Sequence, residues 1–154
     1  MYVYRVVQGK KRVNDINGTG AFTYGGRWNS RGVYMLYTST NSSLALLENI
    51  VHYDPSNTPP NLYLLQLEVN EKAPIINLQD DFYPSDWRDA ESPVNKQLGD
   101  RWMNDMRYLA VGVKSAVNEL ELNYLINPLF PDYNKLVKIV SIKQLPFDKR
   151  LLKK

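Results

Sequence analysis

Cysteine is absent from this chain of 154 residues, and histidine occurs once, as His52. The first absence excludes thiolate nucleophiles, disulfides and thiolate metal sites, and it fits a reducing compartment without requiring one. The second excludes a site built from several imidazoles, so no metal site is expected and His52 reads as a capping or packing residue. No apolar run approaches the roughly 18 residues needed to span a bilayer. The opening Met1-Tyr-Val-Tyr-Arg-Val-Val alternates like a strand and lacks the apolar core and cleavage site of a secretory signal. A cytoplasmic location without a membrane partner is the expectation. Charge of either sign is also scarce in excess: Lys and Arg number 19 against 16 Asp and Glu, a net charge of +3, part of it in the tail Lys149-Arg150-Leu151-Leu152-Lys153-Lys154. So small an excess gives little reason to expect direct nucleic-acid contact, although it suits an anionic ligand.

What is present is ordinary globular composition, 44% hydrophobic and 23% charged. A chain of this length buries about 70% of its unfolded surface and needs no covalent staple for its core. Neither a repeat nor a low-complexity tract divides residues 1–154, and the Pro-rich stretch Asp54 to Pro60 is short enough for a loop, so one compact domain is expected. Strands are predicted at Tyr2 to Val7, Val33 to Thr38, Leu62 to Val69, Leu109 to Val113 and Leu136 to Ile142. In the third, Tyr63, Leu65, Leu67 and Val69 form one apolar face. A first helix is predicted from about Ser42 to Tyr53, opened by Ser39-Thr40-Asn41-Ser42, with Leu44, Leu47, Ile50 and Val51 on one arc and Glu48 at its edge, about 40° from Leu44. A second helix starts at Ser92 as N-cap, with Pro93 in the first turn and Leu98, Trp102 and Met106 inward. The irregular interleaving of strands and helices favours an α+β fold, with mixed central sheets and flanking helices.

Five places in the sequence are suited to chemistry. Tyr24-Gly25-Gly26-Arg27-Trp28-Asn29-Ser30-Arg31-Gly32 sets three glycines around two arginines and a tryptophan. Glycine lets backbone approach a ligand, and a guanidinium offers paired donors to a phosphate or carboxylate; an ordinary turn with solvated arginines is the alternative. The polar run Ser39 to Ser43 at a helix start is either an anion site or simple capping. Tyr37, just before it, is placed to stack on a base or a pyridinium, or to pack in the core. Glu48 borders an apolar stripe, facing a cleft or reaching solvent, with His52 one helical turn on and able to neighbour it. Ser115, beyond the apolar run Leu109 to Val113, is a turn serine by pattern, since no Gly-x-Ser-x-Gly elbow surrounds it.

Together these segments resemble the RES domain, a family named for an Arg, a Glu and a Ser. The resemblance runs through Gly26-Arg27-Trp28-Asn29, Val33-Tyr34-Met35-Leu36-Tyr37-Thr38-Ser39, Leu44-Ala45-Leu46-Leu47-Glu48, Asp86-Trp87-Arg88, Leu98-Gly99-Asp100-Arg101-Trp102, Val113-Lys114-Ser115-Ala116-Val117 and Asn123-Tyr124-Leu125-Ile126-Asn127-Pro128 with Pro131-Asp132. Phe130 departs from it, standing where relatives often carry His. The resemblance implies a fold similar to ADP-ribosyltransferases and an enzyme that consumes NAD as substrate, by hydrolysis, phosphorolysis or ADP-ribosyl transfer, without a further cofactor. It also implies a toxin of a toxin-antitoxin pair, held in check by a helix-turn-helix (Xre-like) antitoxin that blocks the pocket, as a homodimer or in a larger complex. By the same carry-over Glu48, Arg27 and Tyr37 are catalytic, and Arg27, Tyr37, Ser115, Trp28 and Asn29 bind NAD. The rival readings are a nucleic-acid-directed toxin such as a ribonuclease, which the pI of about 9.0 and the 11 tyrosines invite, and a binding module without activity.

Overall fold

Seven runs of alternating side chains pair into one mixed sheet in the computed structural model, which describes residues 1–54, 56 and 61–152. In chain order the strands are β1 (Tyr2–Gln8), β2 (Leu36–Ser39), β3 (Leu62–Val69), β4 (Ile75–Asn77), β5 (Ala110–Lys114), β6 (Leu122–Ile126) and β7 (Val137–Leu145). Their order across the sheet is β4-β5-β6-β2-β1-β3-β7. The β4–β5 pair is parallel and the other pairings are antiparallel. Around the sheet lie α1 (Thr19–Tyr24), α2 (Ser42–Ile50), α3 (Pro93–Asp105) and the short α4 (Tyr133–Leu136), an α+β arrangement. The predicted loop from Asp54 to Pro60 lies mostly outside the described residues, as do Lys153 and Lys154.

Because side chains alternate across a strand, each central strand feeds two cores. Leu36, Ala110 and Ile126 join Val3, Val7, Leu65, Leu67, Val69 and Tyr133 on one face. Their sequence neighbours Tyr37, Val111 and Leu125 turn to the other face, where Trp28, Met35 and Met103 lie with Leu98 and Trp102 of α3. Leu65, Leu67 and Val69 are fully buried, as the apolar face of β3 requires, each contributing about 1.5–3 kcal/mol of transfer free energy. Tyr63 at the head of that face is only partly buried.

Several elements differ from expectation. β2 starts at Leu36 instead of Val33, because Val33 closes a turn onto the Ser30 carbonyl. β7 extends to Leu145 along β3. The stretch from Asn123 is a strand, β6, paired on both sides. The Ser92 hydroxyl caps α3 by accepting from the Asn95 amide, with Pro93 in the first turn as predicted. Leu98 and Trp102 pack inward, whereas Met106 sits at the C-cap with φ 50° and is exposed.

The largest correction concerns α2, which ends at Ile50 and is rotated relative to the predicted arc. Leu44 and Ala45 are buried, while Leu47 is 39% and Val51 51% exposed. On a helical projection Glu48 falls between Leu44 and Ala45, so it lies within the buried stripe and not at its edge. His52 lies beyond the helix end, exposed, and forms no ion pair with Glu48.

Candidate active site

The Gly26–Asn29 turn is built on Tyr37. The Tyr37 hydroxyl donates to Asn29 Oδ1 at 2.8 Å and accepts from the Trp28 amide at 3.0 Å. Asn29 Nδ2 in turn donates to the carbonyls of Ala21, Ser30 and Val33. A Cβ on Gly26 would stand 2.6 Å from the Tyr37 hydroxyl oxygen, so only glycine lets the turn sit this close. Burial raises the Tyr37 phenol well above its ordinary pKa and keeps it a donor at neutral pH. Two further elements clamp the turn. Gly99 of α3 packs against the Trp28 carbonyl, and Asp100 accepts from the Ser30 amide at 2.9 Å. From behind, the buried Arg5 guanidinium donates to the Tyr37 carbonyl at 2.9 Å; burial foremost lowers its pKa, with Arg12 adding to the effect and Asp15 opposing it.

The five residues expected to bind NAD lie in different surroundings. Trp28 is 2% exposed and Asn29 is fully buried, so their side chains present no surface to a ligand and instead hold the turn that carries Arg27. Arg27 is partly exposed on that turn and donates from Nη1 to the Arg88 carbonyl. Tyr37 is partly buried, with its hydroxyl committed to the turn.

Glu48 and Ser115, 67 residues apart in sequence, meet directly. Ser115 Oγ lies 2.6 Å from Glu48 Oε1. That hydroxyl also accepts from the amides of Val117 and Asn118, at 3.1 and 3.0 Å, so its own proton is directed to the carboxylate. Asn123 Nδ2 donates to the same Oε1 at 2.6 Å. Among the described residues no donor reaches Oε2, which leaves that oxygen for a ligand. Of the two readings of the start of α2, capping is the one observed: Asn41 caps the helix through Leu44, while Thr40 Oγ1 and Asn41 Nδ2 both donate to the Glu121 carboxylate at 3.1 Å.

The strand ladder brings the two halves of the site together. Tyr37 and Ser39 project from the same face of β2, two residues and about 7 Å apart. Tyr37 pairs with Leu125, and Ser39 with Asn123. The Arg27 turn, anchored by Tyr37, and Glu48, anchored by Asn123, therefore stand on one face of the sheet. A second connection closes around them. Arg88, whose carbonyl receives Arg27, forms an ion pair with Glu119, and Glu119 lies in the β5–β6 loop that begins at Ser115.

Sequence reasoning named Arg27, Tyr37, Glu48 and Ser115, but it gave no role to Asn123, Arg88, Glu119 or Arg5. Asn123 opens the stretch Asn123-Tyr124-Leu125-Ile126-Asn127-Pro128. Nothing local marked its partner, a carboxylate 75 residues earlier. Among the described residues no group of three or more acidic or His side chains could hold a metal ion, and no helix is long and apolar enough to cross a membrane.

Comparison with known proteins agrees with this architecture. The family model described as RES domain matches residues 2–148. A protein named Toxin Res from Yersinia enterocolitica serotype O:8 / biotype 1B is 34% identical over 152 residues, covering 98% of this chain and 99% of its own. The Prs ADP-ribosylating toxin of a Sphingobium species (strain YBL2) is 34% identical over 145 residues, covering 92% of this chain and 89% of its own. The fold is shared with a chain in the crystal structure of the M. tuberculosis MbcT-MbcA toxin-antitoxin complex, with TM-score 0.66 and 16% identity over 94% of this chain and 83% of that one. With a family model spanning nearly its whole length and relatives matched end to end, the chain belongs to the RES domain family.

Proposed function

We propose that this protein is the toxin of a toxin-antitoxin pair and that it cleaves the nicotinamide–ribose bond of NAD. The observation that carries the reading is the Glu48 carboxylate, gripped on one oxygen by Ser115 and Asn123 and unclaimed by protein donors on the other, on the same sheet face as the Arg27 turn. The bond breaks with its electron pair passing to the ring nitrogen, so the pyridinium cation departs as neutral nicotinamide and needs no acid. Positive character remains on the ribose, and a fixed carboxylate beside it lowers the barrier. Glu48 supplies that charge through Oε2.

Arg27 pairs with the pyrophosphate and sets the ribose against Glu48. Trp28 and Asn29 serve NAD only by placing Arg27. Tyr37 anchors the same turn and, as a residue that is only partly buried, is the candidate for stacking on the nicotinamide cation. Ser115 acts as a donor to Glu48, since its lone pairs are occupied by the loop amides. Water or phosphate closes the reaction by forming the new C–O bond at the ribose. Water yields ADP-ribose and a proton; phosphate yields the ADP-ribose phosphate ester. A protein side chain is the acceptor in the second reading, which the name of the Sphingobium relative favours. The antitoxin partner is supported by the structural likeness to a chain of a toxin-antitoxin complex.

Incubating the purified protein with NAD, with and without phosphate, and identifying products by mass spectrometry tests the reading. Nicotinamide release is expected in both. Intact NAD after long incubation with folded protein overturns it.

A further inference from the structure

We infer that Asn123 and Ser39 are positioning residues for Glu48: together they decide which carboxylate oxygen faces the substrate. The inference rests on the reading that Glu48 acts on NAD. Asn123 Oδ1 accepts from Ser39 Oγ at 2.7 Å, while its Nδ2 donates to Glu48 Oε1 at 2.6 Å. The direction of this train is fixed by chemistry. A flipped amide would set two oxygen acceptors 2.6 Å apart at Glu48, with no proton between them. The Ser39 hydroxyl stabilises the productive orientation from the other side.

The supports are rigid. Ser39 and Asn123 are register partners in the β2–β6 ladder, and Asn123 is paired on its other side with Val113 of β5. Ser39 is buried and has no route to substrate, so its effect passes through the amide. Ser115 brings the second donor to Oε1 from the end of β5. Two donors from two adjacent strands fix the plane of the carboxylate and leave Oε2 as its working oxygen.

Four variants and one spectroscopic signal test this. Asn123→Asp keeps the shape but replaces the donor with an acceptor. Its kcat for NAD is expected to fall roughly a hundredfold, with KM within about twofold of wild type, because a displaced catalytic group costs turnover more than binding. Ser39→Ala is expected to lower kcat roughly tenfold, and Ser39→Thr, which restores a hydroxyl, to recover most of that loss. The Asn123 side-chain amide resonances are expected to move in both Ser39→Ala and Glu48→Gln, a response that needs no turnover. Wild-type kcat in Asn123→Asp, a loss confined to KM, or unmoved amide resonances would overturn the inference. If wild-type protein leaves NAD intact, the functional reading fails and the resonances alone decide the positioning. If Asn123→Asp does not fold, the Ser39 pair and the resonances decide it.

Discussion

At the scale of the residue, the proposed cleavage of NAD needs only one carboxylate because of its leaving group. An ordinary glycosidase needs a second acid to protonate an alkoxide-like leaving oxygen, whereas nicotinamide carries its positive charge into the reaction and loses it on departure. A site with one carboxylate, a guanidinium and a hydroxyl is then chemically complete, and the scarcity of histidine and absence of cysteine cost nothing. Glu48→Gln separates the charge from the shape. The amide oxygen of Gln still accepts from Ser115 and Asn123, so the fold and the NAD affinity are expected to stay close to wild type. Turnover is expected to drop by a factor on the order of 100 to 1,000, the usual loss when a preorganised electrostatic partner is removed. Calorimetric NAD binding set beside rates of nicotinamide release checks this, and unaltered release removes Glu48 from the reaction. Glu48 was legible in the sequence through its spacing from Leu44, yet its placement was misjudged as marginal. The apolar arc gave Leu47 more weight than the sheet does, since helix rotation is set by what the strands offer and not by the helix pattern alone.

At the scale of the element, the site depends on helix α3 although none of its side chains is proposed to touch NAD. Gly99 lies so close to the Trp28 turn that a Cβ would come within 1.6 Å of the Trp28 carbonyl oxygen. No rotamer relieves a clash with backbone, so Gly99→Ala must push the helix and the turn apart. A loss of about 3 kcal/mol or more is expected, against less than about 0.5 kcal/mol for the exposed Gln97→Ala two residues away. Urea midpoints at constant slope measure both, and a wild-type midpoint for Gly99→Ala contradicts the packing. The start of α3 was readable because Ser92 and Pro93 act within one turn of chain. β3 was readable to its ends, since eight residues of apolar bias leave little choice of register. β6 was missed: Asn123 and Asn127 bracket a short apolar run before Pro128 and look like loop punctuation. Only pairing with β2 and β5, remote in sequence, makes the run a central strand. β4 is three residues long and has no pattern to read.

At the scale of the whole molecule, two tyrosine hydroxyls tie irregular segments to the two faces of the sheet. Tyr37 holds the Gly26–Asn29 turn on one face. On the other, Tyr133 donates to the Ile16 carbonyl at 2.5 Å across 117 residues of sequence, fastening the segment that follows β1 to the core beside α4. Burial raises the pKa of both above the ordinary tyrosine value, since neither phenolate is solvated where it stands. The folded state therefore holds these protons more tightly than the unfolded chain does. The resulting stability is intact below the unfolded value of about pH 10 and declines as pH rises beyond it toward the folded values. Urea midpoints are expected to be level between about pH 7 and 9 and to fall above about pH 10. Tyr133→Phe is expected to lose about 1 kcal/mol at neutral pH, the worth of its hydrogen bond, and to show a shallower alkaline decline because one raised phenol is gone. Parallel alkaline slopes for the variant and the wild type would exclude Tyr133 as a source of the decline. Because burial holds the Tyr37 proton above the ordinary tyrosine value, the donor on which Asn29 depends outlasts the start of this decline, and NAD turnover is expected to be lost in step with the folded fraction and not ahead of it; loss of turnover at a pH where the urea midpoint is still level would show that Tyr37 ionises in the folded protein.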